Sequence, residues 1–268
     1  MVEEKRMAIR LSARVRRVGL GVLIVLIAPA RVALGQAPAP PAQAPPPEPP
    51  PRLEASAQFT FVGTHGNAES QSLGVGGDLI WRPDPWTYSA KTIFAQSESD
   101  EELTARSLAA TFRAARALNE RWLGYGQYDF LRDLFAGVEQ RHVIEGGLSY
   151  LALREAPHHL RLDMGLGYLY ERLPDEHFDS ATLALGAAYR FIISAASDFR
   201  YEPRFLLPFV DPDAWKFNQD ASLDVALTSI LSLKLAHTLR YSNEPPPGFE
   251  TTDTIMAVSL VAKVRRPK

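Results

Sequence analysis

Residues 160–170, LRLDMGLGYLY, and residues 181–191, ATLALGAAYRF, show the pattern that decides the fold. In the first stretch, alternate positions are apolar or aromatic: Leu160, Leu162, Met164, Leu166, Tyr168 and Tyr170. The positions between them include Arg161 and Asp163. Successive side chains of a β-strand point to opposite faces of the sheet, so this period of two predicts strands with one apolar and one polar face.

The same alternation continues outward from these stretches, from Leu53 to Val264. Twelve segments show it, near residues 53–63, 70–81, 86–97, 104–116, 121–132, 139–151, 159–172, 180–193, 198–208, 215–228, 231–242 and 252–264. Strands of soluble proteins average about 5–6 residues, whereas a tilted membrane-spanning strand needs about 9–11. The lengths and the even number predict an all-β fold, an antiparallel up-and-down transmembrane β-barrel over residues 53–264.

Residues 101–118, EELTARSLAATFRAARAL, leave an alternative open. Their composition suits a helix as well as a strand. The segments on both sides are predicted strands, and a helix between them would interrupt the up-and-down order. The strand interpretation is therefore favoured.

Aromatic residues group at both ends of the predicted strands, as expected where amphipathic rings lie at membrane interfaces. With both termini in the periplasm, one group includes Trp81, Trp86, Trp122, Tyr150 and Tyr189, and the other includes Phe61, Tyr128, Tyr168, Trp215 and Tyr241. The polar positions would face the lumen and carry charges of both signs. We expect opposite charges there to pair and to leave only a narrow path.

The N-terminal region predicts export. Residues 1–17 are basic, Val18 to Ala30 form an apolar run, and small residues follow at Ala33 and Gly35. This order is typical of a secretory signal peptide, here residues 1–35. Residues 36–52, QAPAPPAQAPPPEPPPR, hold nine of the 21 prolines and predict a stiff periplasmic leader. Residues 265–268 form a basic tail.

The overall composition excludes some classes of protein. The chain has no cysteine, so it has no disulfide framework and no thiolate metal site. The net charge is −2, and the predicted signal peptide contains seven basic and two acidic residues, so the mature part is clearly acidic. An acidic domain is a poor candidate for nucleic-acid binding.

Several short motifs resemble a known family. They are Gly66–Asn67, Arg132–Asp133 with Gly137, and the run LSLKLAHTLRYSNEPPPGFETTD over residues 231–253, which contains Glu244, Pro245, Pro246, Pro247, Gly248, Thr252 and Asp253. Together they resemble the salt-induced outer-membrane protein family, whose domain of unknown function bears the number 481. The resemblance implies an outer-membrane β-structure in a Gram-negative envelope with no established activity, and a structural or envelope-stress role.

No catalytic constellation stands out in the sequence. A barrel hydrolase would need a Ser–His pair, and His65 and His177 would lie on the outer rim near Ser70 and Ser97. Asp175 and Glu176 are adjacent, so on a strand they would point in opposite directions. The adjacent His158 and His159 lack a third metal ligand nearby. We expect no enzyme activity and no cofactor.

Acidic residues of the predicted outer loops suggest two further possibilities. Asp175, Glu176, Glu250 and Asp253 offer carboxylates that suit a divalent cation at the rim. The same charges would raise the cation concentration at a pore mouth, so a narrow, weakly cation-favouring channel is the alternative function. The expected partners are outer-membrane lipids, lipopolysaccharide and the barrel-assembly machinery, and the expected state is a monomer.

Overall fold

The computed structural model describes residues 51–64, 70–99, 102–134, 136–174 and 176–266. Because most of these residues alternate in polarity, they form strands joined by turns and loops. The strands are β1 Leu53–Thr64, β2 Ser70–Trp81, β3 Trp86–Ser99, β4 Glu102–Ala117, β5 Trp122–Asp133, β6 Val138–Leu153, β7 His158–Arg172, β8 His177–Ser194, β9 Ser197–Pro208, β10 Lys216–Ala226, β11 Leu231–Ser242 and β12 Thr252–Arg266. A single-turn 3₁₀ helix, Pro212–Ala214, precedes β10.

The twelve strands form one closed antiparallel barrel. Each strand pairs with its neighbours in sequence, and β1 closes the ring by pairing with β12, from Leu53↔Arg266 to Phe59↔Leu260. Closure satisfies the backbone groups that an open sheet would leave unpaired at its edges. The predicted fold class is therefore confirmed.

The strand bounds differ from the predicted ones at a few places. Residues 102–117 form β4, so the strand interpretation of this region is correct and the helical alternative is wrong. β10 ends at Ala226, so the following turn is longer than predicted. β12 continues to Arg266, two residues into the predicted tail. The predicted signal peptide and most of the leader lie outside the described residues.

The barrel has two ends, which differ in their connections. We call the end near Leu53 and Arg266 the terminal end and the opposite end the far end. At the terminal end the connections are short, as at 82–85 and 195–196. At the far end the β9–β10 and β11–β12 connections are longer, at 209–215 and 243–251.

The outward face of the barrel is apolar. Leu166 is 62% exposed and Met164 is 60% exposed, although both lie in the middle of β7. Neighbouring inward residues of the same strand, such as Leu169, are buried. Apolar side chains that are exposed over a whole continuous face indicate contact with lipid rather than water. Among the described residues, no helix is long and apolar enough to cross a membrane.

Strands β6 and β7 approach one another closely at a pair of glycines. Gly147 pairs with Gly165 in the register of the two strands. A Cβ on Gly147 would lie 2.2 Å from the Met164 carbonyl oxygen, and one on Gly165 would lie 2.6 Å from the Tyr125 hydroxyl oxygen. Glycine is therefore required here, and the space above Gly165 admits the Tyr125 ring into the lumen.

Candidate functional site: the lumen and its far-end cover

The lumen is lined by ionisable side chains of both signs. The polar positions of the alternating strands are predicted to face the lumen, and the structure confirms this. The ionisable residues on the inner face include Lys91, Arg113, Glu145, Asp163, Glu171, Arg204, Lys216, Asp220 and Arg240. They form ion pairs at three successive levels between the two ends. Each level has its own partners and its own access to water.

The level near the terminal end consists of two clusters in which one carboxylate holds two arginines. Asp198 accepts from Arg190 and Arg200, at 3.1 and 2.9 Å. Asp163 accepts from Arg113 at 3.0 Å and from Arg161 at 3.1 Å. These clusters hold the guanidinium groups against the wall, because each carboxylate accepts charge-assisted hydrogen bonds from two of them.

The Arg113 cluster is also held by an aromatic ring. The Arg113 guanidinium lies 3.7 Å from the centroid of the Tyr125 ring. It also donates to the Ser149 hydroxyl at 2.6 Å. Tyr125 fills the space that Gly165 leaves open, so the glycine pair, the ring and the arginine form one packed layer on this wall.

The middle level contains ion pairs that cross the lumen. Lys91 of β3 donates to Asp220 of β10 at 3.0 Å and lies 3.9 Å from Glu202. β3 and β10 are five strands apart in the ring, so this pair bridges almost opposite walls. Arg204 of β9 binds Asp129 at 2.8 Å and Glu145 at 2.7 Å.

The far-end level, which we call the closing layer, is the most densely paired. Glu171 binds both Arg141 and Lys216, the latter at 2.9 Å. Arg240 of β11 reaches Asp133 of β5 at 2.6 Å. β5 and β11 are six strands apart, so the Arg240–Asp133 pair joins diametrically opposite walls.

Access to water divides these levels. At the middle level the Lys91, Asp220 and Glu202 side chains are 39%, 46% and 49% exposed inside the closed barrel. In the closing layer the Glu171 and Lys216 side chains are 3% and 5% exposed. The Arg204 and Glu145 side chains of the middle level are 21% and 3% exposed. The lumen is therefore water-accessible at mid-height around Lys91, and it is blocked near the far end.

The connection between β11 and β12, residues 243–251, lies over the closing layer, and we call it the cover loop. Phe249 of this loop packs on Gly137 in the turn between β5 and β6, on the opposite wall. Gly137 has a φ of 70°, and an added Cβ would lie 2.8 Å from the Phe249 ring. Glu244, Pro245 and Pro246 of the loop line the space above Arg240.

The predicted loop motif is thus partly assembled by the fold. Asp133 and Gly137 contact the β11–β12 segment through Arg240 and Phe249, although about a hundred residues separate them in the chain. Pro247 and Gly248 form the tip of the cover loop, where Gly248 has a φ of 89°. Thr252 and Asp253 begin β12, opposite Tyr241 and Arg240. Arg132 faces outward, and Gly66 and Asn67 lie outside the described residues.

The predicted rim cation site is not assembled in the described part of the chain. Asp253 faces the lumen beside Arg240, whereas Glu176 belongs to the turn between β7 and β8. Glu250 lies in the cover loop, and Asp175 lies outside the described residues. Within the described ranges, no group of three or more His, Asp or Glu side chains has metal-binding geometry. A different acidic cluster occurs nearby: chiefly the Asp211 carboxylate, and also Asp213, raise the pKa of Glu244 above its ordinary value.

The predicted hydrolase residues do not form a catalytic group in the described part of the chain. His177 faces outward and its ring lies 6.4 Å from that of Tyr170. His158 also faces outward and stacks on Phe191. His65 lies outside the described residues, and His159 occupies the inner face near the terminal end.

Sequence reasoning missed several lumen residues. Asp133, Arg141, Arg190, Asp198 and Lys263 all form ion pairs on the inner face. Each of them lies an even number of positions from other inward-facing polar residues of its strand. The alternation alone is therefore enough to place its side chain on the inner face. The extra residue of the bulge opposite Leu131 and Asp133 lies on β6, so Asp133 keeps the parity of Asp129 on β5.

A closed twelve-stranded antiparallel barrel with an apolar outer face and a charged lumen defines a transmembrane β-barrel protein. The chain belongs to the family described as "Protein of unknown function, DUF481", whose model matches residues 57–264. The family that the sequence resembles is therefore confirmed. The salt-induced role that the resemblance implies stays a prediction.

The chain is similar to the uncharacterized protein YdiY of Escherichia coli strain K12. The two are 23% identical over 209 residues, which cover 77% of this chain and 81% of the relative. Among solved structures, the COG4313 outer membrane channel from Pseudomonas putida F1 is similar with a TM-score of 0.49 and 11% identity, over 81% of this chain and 96% of that one. The NanC porin is similar with a TM-score of 0.43 and 12% identity, over 81% and 100%.

Proposed function

We propose that the barrel crosses the bacterial outer membrane with its terminal end in the periplasm and its far end outside. Three features support this placement: the continuous apolar outer face, the aromatic residues at both ends, and the longer far-end loops. Short periplasmic turns and longer external loops are the usual arrangement of outer-membrane barrels. The proposal includes export by a cleaved signal peptide, insertion by the barrel-assembly machinery, and a monomeric barrel.

Within this placement, we propose a non-catalytic channel for small ions or small charged solutes. The observation that carries the proposal is the water-accessible middle level, where Lys91, Glu202 and Asp220 remain 39–49% exposed inside the barrel. Burying ionisable groups is costly, so charged side chains that keep water at mid-height indicate a hydrated path. The path begins at the terminal end and stops at the closing layer.

The closing layer and the cover loop make this channel narrow and mostly closed. Passage requires that the Arg240–Asp133 pair separates and that Phe249 leaves Gly137. The lumen carries both signs, so we expect weak selectivity. Acidic residues of the far-end loops, such as Asp211, Asp213 and Glu244, favour cations at the mouth.

A second candidate is a structural or envelope-stress role without conduction. The closing layer favours it, since Glu171 and Lys216 are almost fully buried and the Arg240–Asp133 pair ties opposite walls together. In this reading the ion pairs brace the barrel and the lumen stays shut. The two candidates differ in whether a folded barrel passes current.

Conductance of the refolded protein separates the two candidates. In a planar bilayer with asymmetric KCl, we expect brief, small current steps with a reversal potential on the cation-selective side. Folding is checked in the same preparation by a heat-dependent gel shift. A barrel that shows the gel shift and no steps at any voltage would contradict the channel proposal and leave the structural one.

A further inference from the structure

The outward face of β5–β8 carries an unusual row of residues near the far end. Gln140 of β6 pairs with Arg172 of β7, and Arg172 pairs with His177 of β8. On β5, Arg132 lies at the same level, beside the register shift that follows Leu131↔Arg141. We call Arg132, Gln140, Arg172 and His177 the basic row. Adjacent strands lie about 4.8 Å apart, so the row spans about 15 Å.

Basic side chains of this kind are confined to one sector of the rim. Where side chains are described, outward-facing arginines and lysines at the far end occur only on β4, β5 and β7, as Arg106, Arg132 and Arg172. At comparable heights β10, β11 and β12 present Phe217, Tyr241 and Thr252. The basic row is therefore a local feature and not a belt that surrounds the barrel.

Aromatic rings lie directly below the basic row, toward the middle of the membrane. Phe130, His142 and Tyr170 are cross-strand neighbours on β5, β6 and β7. The ring centroids of Phe130 and His142 are 5.2 Å apart, and those of His142 and Tyr170 are 6.1 Å apart. Tyr128 adds a hydrogen bond of 2.8 Å to His142 Nδ1. Two arginines thus stand above a polar aromatic surface, which continues below into an apolar face.

We propose that this surface binds a phosphorylated glycolipid of the outer leaflet, namely lipopolysaccharide. Arginine is suited to phosphate because its planar guanidinium donates two parallel hydrogen bonds. Aromatic rings suit the level where sugar and acyl chains meet. The phosphates of such a lipid would lie at the basic row, its sugars at the aromatic rings, and its acyl chains along the apolar face of the strands below. The inference rests on the proposed outward orientation of the far end and is independent of conduction through the lumen.

Arg172 of the basic row has an acidic partner within the protein, Glu139, which positions its side chain. Arg172 lies 3.1 Å from Glu139, with side chains 60% and 42% exposed. An exposed ion pair of this kind is weak. Glu139 therefore orients Arg172, and the guanidinium can still bind a phosphate group. The Tyr168 hydroxyl donates to Asp179, which keeps that carboxylate occupied one level below.

The test uses the double variant Arg132→Gln/Arg172→Gln in phosphatidylcholine nanodiscs. Purified lipopolysaccharide is titrated and the bound fraction is measured by native mass spectrometry. We expect the affinity to fall at least about tenfold, because charge-assisted hydrogen bonds are the strong contacts of such a site. The matched control is Arg116→Gln, which removes an outward arginine at the terminal end beside Trp86 and should bind like the native protein.

Two further titrations show whether binding depends on the phosphate groups and on the sugar of the glycolipid. Dephosphorylated lipopolysaccharide should bind the native protein as weakly as the double variant binds the intact glycolipid. Phosphatidylglycerol, which offers a phosphate without the sugar, should also bind weakly. Equal affinity of the native protein and the double variant would overturn the proposal, and so would equal binding of phosphatidylglycerol. The variant Arg132→Lys/Arg172→Lys should recover part of the affinity, and an unchanged heat-dependent gel shift shows that each variant folds.

Discussion

Replacing both Arg240 and Asp133 by alanine is expected to raise the unit conductance of the barrel several-fold. The pair joins diametrically opposite walls at 2.6 Å and forms the centre of the closing layer. Removing both partners takes one charge of each sign from the layer and leaves its net charge unchanged, so the barrel should still fold. Adding Phe249→Ala, which releases the cover loop from Gly137, should also lengthen the open times. Current steps in planar bilayers measure both effects.

The control for this variant is another ion pair in the same lumen. Lys263 of β12 binds Asp224 of β10 at 3.1 Å, on strands only two positions apart. This pair lies along the wall and does not bridge the lumen, so Lys263→Ala/Asp224→Ala should leave the unit conductance close to the native value. Equal conductance of the Arg240/Asp133 variant and the native barrel would show that the closing layer does not limit the current.

Met164→Arg is expected to lower the free energy of unfolding in lipid by about 2–4 kcal/mol, the cost of a basic side chain at the bilayer midplane. Met164 lies in the middle of β7 and is 60% exposed on the outward face. A guanidinium at that position has neither water nor a carboxylate beside it. Urea unfolding in phospholipid vesicles, followed by tryptophan fluorescence, measures the change.

The same strand supplies a matched control. Leu160 faces outward near the terminal end of β7, where the interface lies. Leu160→Arg should cost only about 0–1 kcal/mol, because the side chain can reach the headgroups. Equal costs at the two positions would mean that the outward face of β7 does not lie in a bilayer.

The wall of the barrel could be predicted from the sequence because its rule is local. Each strand repeats one choice, apolar outward and polar inward, and the 160–170 stretch shows it without reference to any other segment. The assignment of β4 followed from its neighbours, since Glu102–Ala117 has a composition that a helix would also accept. The even number of strands is compatible with antiparallel closure, and β1 and β12 do pair to close the ring.

The interior was less predictable because its contacts join distant parts of the chain. Parity places Arg240 and Lys91 in the lumen, but it does not show that they reach Asp133 and Asp220 on far strands. These partners depend on the stagger of the strands that accumulates around the ring. The contact between Phe249 and Gly137 likewise joins two loops that no local pattern relates.

The central claim is a membrane-spanning barrel with a water-accessible lumen at mid-height, and single cysteines test it most directly. The native chain has no cysteine, so each introduced thiol reports only its own position. Glu202 pairs with Asp220 on the inner face, and the adjacent Tyr201 pairs with Ala221 on the outer face.

The measurement is the rate at which a membrane-impermeant maleimide, present both inside and outside lipid vesicles so that it reaches the terminal end in either orientation, labels four variants: Glu202→Cys, Asp220→Cys, Tyr201→Cys and Ala221→Cys. We expect rapid labelling at positions 202 and 220, and labelling at positions 201 and 221 only after denaturation. Equal labelling of all four thiols in the vesicles, or faster labelling at 201 and 221, would contradict the account.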